Sequence, residues 1–298
     1  MAGRRPPGRW EARPAVGPQL QIQLGDAASV AGRWSGYGEP GWEGLIDGAR
    51  FVVERGLEGD HRFVHDANLD PRVDETRARA THHLSSDGRL LTCAPNSHAN
   101  PFWWRVVLDS VLFTVALLQG YEALHAGAVA LRGDVIAIVA ATGGGKSTLV
   151  TELLSRGANL MTDDVLVMRS RAPDAPLAYP GPPLMTVPAE RVPASAETIL
   201  SVDGERWIGV PAAPEPLPLK ALVLLDRRSG PSPTSMERVE SPLAPLLSSL
   251  MRFPRTAARE RSRFELASDL AERVPLWRLR ADLDAPPTTL ADVLLANI

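Results

Sequence analysis

The stretch AIVAATGGGKSTLV, residues 137–150, constrains this chain more than any other. An apolar run typical of a buried strand meets three consecutive glycines, then Lys-Ser-Thr, then a new apolar run. Gly143, Gly144 and Gly145 free the backbone to turn its N–H groups toward one point without interference from Cβ atoms. A helix opening near Ser147 directs its positive end at the same point. Lys146 adds a mobile cation, and Ser147 and Thr148 add hydroxyls. Together these groups describe a cradle for an anion, and the order strand, glycine loop, helix identifies the anion as phosphate. Positions 140–147 read A-A-T-G-G-G-K-S, which fits the template G-x-x-x-x-G-K-[ST] except that Ala140 replaces its first glycine. Thr142 and Gly143 to Thr148 are therefore the expected phosphate contacts. The alternative, a glycine-rich turn with a chance Gly-Lys-Ser, fits the surrounding pattern less well.

The flanks extend the unit. LHAGAVAL and VIAIVA read as strands around a turn at Arg132-Gly133-Asp134, STLVTELLSR reads as a helix stopped by Gly157, and NLMTDDVLVM reads as a further strand. Strands alternating with a helix in this way define an α/β class. Strands joined through a crossover helix run parallel, so the end of NLMT is expected on the same sheet edge as the glycine loop. That edge would carry Asp163 and Asp164. One carboxylate beside bound phosphates suits Mg²⁺, and a second suits removal of a proton from an attacking hydroxyl. Adjacent carboxylates hinder each other's ionisation unless a cation lies near. An acidic strand so soon after the loop also argues against a transport ATPase.

Residues 19–120 read as a β-rich region ending in a helix. QLQIQL alternates, ARFVVERG is β-branched, Asp87-Gly88 sits between strand-like flanks as a two-residue hairpin turn, and FWWRVVLDSVLFTVALLQG has helical spacing with a stop at Gly120. Trp103-Trp104 is expected to pack that helix. His61, His65, His82 and His83 fit no zinc spacing, so they read as core or surface histidines. Residues 1–18, rich in Arg and Pro, read as a disordered lead-in without the apolar segment of a secretory signal. Residues 121–298 read as the α/β catalytic region, with strand candidates at LKALVLLDR and LWRLRA, a hairpin turn at Asp203-Gly204, and helices at PLAPLLSSLM and RSRFELASDLAER.

A net charge of −3 gives no reason to expect nucleic acid or an anionic membrane as partner. The longest apolar run, within residues 106–118, is too short to span a bilayer and contains Asp109. Cys93 is the single cysteine, which excludes an intrachain disulfide and suits a reducing cytoplasm.

LHAGAVAL, ATGGGKST and LLSRGANLMTDDV together resemble the HPr kinase/phosphorylase family and its kinase-like relatives, a superfamily that includes ATP-dependent phosphoenolpyruvate carboxykinase. His125, Lys146, Ser147, Arg156-Gly157 and Asp163-Asp164 follow the family pattern in order. The resemblance implies a kinase core of that type and ATP- and Mg²⁺-dependent transfer to a serine of a protein or peptide. It implies Asp163 as general base, Ser147 and Asp164 on the metal, and His125 near the reacting atoms. It also implies a homo-oligomer as the assembly to test. The arginine- and glycine-rich signature of the HPr-specific enzymes is absent, which points to a different acceptor. Arg191, Arg206, Arg227 and Arg255 are candidates for a further cation. An ATP-holding sensor or scaffold and a carboxykinase-like small-molecule enzyme are the rival readings.

Overall fold

The computed structural model describes residues 20–46, 49–66, 79–95, 104, 107–141, 143–170, 174–192, 196–202, 204–230, 232–251 and 257–298. The expected disordered lead-in, Trp103, Thr142, Asp203 and Arg255 lie outside these residues, as does the side chain of Arg191. The architecture is mixed α/β. Among the described residues the chain divides into two compact units, one ending at Gly120 and one running Tyr121–Ile298. No helix among the described residues is long and apolar enough to cross a membrane.

The first unit is a six-stranded sheet in the order β1-β6-β5-β4-β3-β2. Its strands are β1 (Gln21–Leu24), β2 (Tyr37–Ile46), β3 (Ala49–Gly56), β4 (His61–Asp66), β5 (Arg79–Leu84) and β6 (Leu90–Pro95). All neighbours are antiparallel except β1 and β6. A short helix, α1 (Ala27–Arg33), is capped by Asp26, whose carboxylate accepts from Ser29 N–H at 2.7 Å. Phe51 and Phe63 are fully buried and stack with centroids 6.3 Å apart. The cross-strand register sets His82 between Phe63 and Cys93, all three buried. His83 and Ser35 both bind the buried Asp60 carboxylate, His83 Nε2 at 2.9 Å. Of the four histidines weighed for metal, His65, His82 and His83 are thus buried in this sheet. Among the described residues no group of three or more His, Cys, Asp or Glu is arranged to hold a metal.

The Asp87-Gly88 hairpin forms with a different turn from the one expected. Only Gly88 has positive φ (70°), and its N–H donates to Ser85 C=O, so the loop is longer than two residues. The Asp87 side chain accepts from Arg89 N–H and from Ser85 Oγ, and these bonds define the loop from within. The helix after it, α2 (Leu112–Leu118), begins with a π turn at Val107–Val111 and stops at Gly120, φ 80°.

The second unit is built on a nine-stranded sheet that branches at one strand. Its members are β7 (Glu122–His125), β8 (Gly127–Leu131), β9 (Asp134–Val139), β10 (Asn159–Thr162), β11 (Val165–Arg169) and β12 (Leu177–Tyr179). A separate three-stranded sheet, in the order β13-β15-β14, contains β13 (Leu184–Pro188), β14 (Thr198–Val202) and β15 (Glu205–Gly209). The branching strand is β16 (Leu217–Arg228), followed by β17 (Ser235–Arg238) and β18 (Leu276–Asp282). The first two residues of β16 pair with β12, while its later residues pair in parallel with β9 and β18.

The helices are α3 (Lys146–Ser155), α4 (Leu243–Ser249), α5 (Ala257–Arg273) and α6 (Pro287–Asn297). Side chains of β8 and β9 alternate between two cores. Val129, Ile136 and Ile138 pack with Leu149 and Leu153 of α3 and Leu290 and Leu294 of α6. Ala128, Ala130, Val135 and Ala137 share the other core with Leu246 of α4 and Leu266 and Leu270 of α5. Helices on both faces explain why these strands read as continuous apolar runs instead of alternating ones.

Two segments read from sequence as single strands are each broken in two. LHAGAVAL divides at Ala126 into β7 and β8, and NLMTDDVLVM divides at Asp163-Asp164 into β10 and β11. In each case the halves join different branches: β7 pairs with β11, and β8 with β10. The two breaks abut. Ala126 N–H donates to Asp164 C=O at 2.9 Å, and a Cβ at Gly127 would lie 2.9 Å from the Asp163 carbonyl oxygen. That approach requires glycine at position 127.

Candidate functional site

β9 and β10 point the same way, because each is antiparallel to β8, which lies between them. The end of β9 delivers the glycine loop and the end of β10 delivers the acidic pair, so both emerge at one sheet edge. The broken strand β7–β8 brings His125 there as well.

The loop is shaped by its glycines. Gly143 and Gly145 hold φ of 73° and 92°, and Gly145 caps α3 in the left-handed conformation. Gly144 is required for space instead: a Cβ there would lie 2.8 Å from Ala141 O and 2.9 Å from Ala140 Cβ. Its N–H closes a turn onto Ala141 C=O at 2.8 Å.

Lys146 is the first residue of α3, and its side chain is buried. Nζ lies 3.1 Å from His125 Nε2, 3.5 Å from Ala140 O and 4.0 Å from Asp164 Oδ1. His125 Nδ1 faces the same Asp164 oxygen at 3.4 Å. Asp164 is about half exposed.

Asp163 turns the other way. Its Oδ2 accepts from Thr186 N–H of β13 at 2.8 Å, while Oδ1 is buried without a hydrogen bond of ordinary geometry. Burial pushes its carboxyl up from the usual 3.8 to about 6. The Thr186 amide opposes that rise, the Asp164 charge adds to it, and the nearby Ser147 and Thr186 hydroxyls oppose it. The pair therefore divides: Asp164 belongs with His125 and Lys146, and Asp163 with Thr186 and Ser147.

The structure thus gathers His125, Gly143, Gly144, Gly145, Lys146, Ser147, Asp163 and Asp164 at one edge. Thr148, one residue further along α3, makes no side-chain hydrogen bond among the described residues. Arg206 donates to the carbonyl of its neighbour Glu205 at 2.9 Å. Of the two candidate arginines whose side chains are described, Arg227 comes to the loop, where a Cβ at Gly145 would lie 3.3 Å from its Nη1. Thr186 was not singled out from sequence. It lies 23 residues beyond Asp163, in a proline-rich stretch without a periodic signal.

No protein-family model matches the chain, and no curated protein sequence does. Among solved structures, the HPr(Ser) kinase/phosphatase from Coxiella burnetii is similar at 12% identity and a TM-score of 0.32. The overlap covers 59% of this chain and 95% of that one. A likeness of that degree transfers neither activity nor residue roles.

Proposed function

We propose that the chain is an ATP- and Mg²⁺-dependent phosphotransferase acting in the cytoplasm on a hydroxyl acceptor, most simply a serine of a protein or peptide. The observation that carries this reading is the arrangement around Lys146. A glycine loop opens a helix, and within 4.0 Å of the lysine Nζ lie a histidine and one carboxylate of an acidic pair. The other carboxylate is buried with an oxygen lacking a hydrogen bond.

The oxygens present suit Mg²⁺. The Ser147 hydroxyl and the Asp164 carboxylate are hard donors, and Mg²⁺ shared with phosphates needs only one or two carboxylates from the protein. When bound, Mg²⁺ would neutralise charge on the β- and γ-phosphates. The loop amides and the α3 N-terminus hold the phosphates of ATP, and Lys146 places a fixed cation on the transferring group. Asp163 takes the proton from the acceptor hydroxyl. A carboxyl with a pKa of about 6 is largely ionised at neutral pH yet basic enough to share that proton. His125 steadies Lys146 and Asp164.

One observation favours exchanged roles. The Ser147 hydroxyl lies near Asp163, and Asp164 is the half-exposed carboxylate beside His125. In that reading Asp163 holds the metal and Asp164 takes the proton. Titrating Mn²⁺ into Asp163→Asn and Asp164→Asn separates the two, since the variant that weakens metal binding identifies the metal-side carboxylate.

The reading as a whole is tested by transfer of labelled γ-phosphate from ATP to peptides, alongside nucleotide binding. Lys146→Ala is expected to lower transfer by roughly 10² or more. Binding without transfer to any acceptor or to water would instead indicate an ATP-holding sensor.

A further inference from the structure

Arg227 lies near the end of β16, beyond Leu224, the residue that pairs with the last residue of β9. In a parallel sheet this carboxyl-end edge is where ligands bind. The guanidinium is held from one side. Nε and Nη2 donate to Asp282 C=O at 3.3 and 3.0 Å, and Nη2 also donates to the carbonyls of Leu283 and Ala285. These carbonyls form the turn from β18 into α6.

Among the described residues Nη1 makes no hydrogen bond and no carboxylate pairs with Arg227. Its neighbours are otherwise matched: Asp226 holds Arg228 at 2.7 Å and lies 3.8 Å from Arg280. The unused end lies against Gly145, where a Cβ would be 3.3 Å from Nη1 and 3.5 Å from Cδ. A half-buried cation with no counter-ion among the described residues, fixed on its far side by three carbonyl groups and directed at a glycine loop, is preorganised for an anion.

We infer that Arg227 binds a phosphate group of the ligand held by the glycine loop, through Nη1. This rests on the phosphate-binding reading of the loop and adds a residue to it. The anchoring of Nε and Nη2 fixes the guanidinium before the ligand arrives, so little side-chain freedom is lost on binding. It also links phosphate binding to the start of α6.

The test uses the full chain and inorganic pyrophosphate as probe, with adenosine as control. Arg227→Gln is expected to weaken pyrophosphate binding about tenfold while leaving adenosine binding unchanged. Arg227→Lys, which keeps the charge and loses the fork, is expected to fall between. A purely structural effect on the β18–α6 turn would not discriminate between the two probes. Should the Gln variant fail to fold, the Arg227 guanidinium nitrogen signals in the wild-type NMR spectrum provide the readout, and they are expected to shift on adding pyrophosphate. Unchanged pyrophosphate affinity in Arg227→Gln, or unmoved signals, with affinity lost in Lys146→Ala, would overturn the assignment while leaving the loop reading intact. If the wild-type chain binds no pyrophosphate, the loop reading falls and the Arg227 assignment falls with it.

Discussion

Lys146 Nζ lies 3.1 Å from His125 Nε2, so an ammonium and an imidazole share one hydrogen bond at the edge of the sheet. An ammonium can only donate, so Nε2 accepts and the ring proton resides on Nδ1. That proton faces Asp164, whose Oδ1 lies 3.4 Å from Nδ1. The imidazole thus bonds the lysine and faces the carboxylate, which lie 4.0 Å apart beside it. Replacing His125 with Leu is expected to let Lys146 close on Asp164 and withdraw from the ligand. Phosphate transfer should fall roughly 10- to 100-fold, as for loss of a positioned hydrogen-bonding side chain. His125→Asn should retain more activity than His125→Leu, measured as kcat/KM for transfer.

Asp163 makes a pH-dependent contribution of unusual sign for a carboxylate. Its folded pKa of about 6 exceeds the ordinary 3.8, so between these values the folded chain holds more protons than the unfolded chain. The contribution is complete below about pH 4 and is lost as pH rises through 6. Between pH 4 and pH 7 this group alone should reduce stability by about 2 kcal/mol. Asp163→Asn should abolish that slope and melt at higher temperature than the wild type at pH 7, as determined by urea and thermal unfolding. The same ionisation should make kcat/KM for transfer rise from pH 5 to 7 if Asp163 is the base.

His82 should show the opposite dependence in the first unit. It is fully buried, with neither ring nitrogen hydrogen-bonded, and burial, with a smaller effect from His65, depresses its pKa from 6.5 to about 3. Its contribution is present above about pH 6.5 and is lost as pH falls toward 3. From pH 7 to pH 5 the loss should be about 2 kcal/mol. His82→Leu should therefore flatten the acid limb of unfolding, detected by hydrogen exchange of amides in β4 to β6.

Gly144→Ala isolates the spatial requirement of the loop. The new methyl would face the Ala141 carbonyl and Ala140 Cβ, and neither is the flexible end of a long side chain. The loop must shift, at an expected cost of about 1–3 kcal/mol in stability, comparable to overpacking elsewhere. Nucleotide affinity should fall along with it. Alanine at the exposed Gly133 turn meets no neighbour within 4 Å, but its φ of 88° still opposes the substitution. Comparing the two variants separates crowding from backbone strain.

The sequence was most readable where structure is local. The buried run of β9, the glycines of the loop and the stop at Gly157 are read within 24 residues, and strand, turn and helix follow directly. The Asp26 cap of α1 is equally local, but the helix is only seven residues long and carries no clear periodic signal. The C-terminal helix α6, entered through Pro286-Pro287, is a further element absent from the sequence expectations. The breaks at Ala126 and at Asp163-Asp164 were not readable, because apolar residues continue on both sides and only pairing with distant strands divides them. Those breaks turn His125 and Asp164 toward each other. The contacts of Thr186 with Asp163 and of Arg227 with the 282–285 turn likewise depend on pairings between remote segments, which periodicity does not report.

β16 contributes its first residues to one branch of the large sheet and its remaining length to the other. A slip of one position along it would turn Leu222 and Val223 to opposite cores and misalign both branches together. This strand is the keel of the unit: circular permutation or truncation within it should abolish folding of the whole unit, whereas the same cut in the β14–β15 hairpin should leave the nine-stranded sheet assembled.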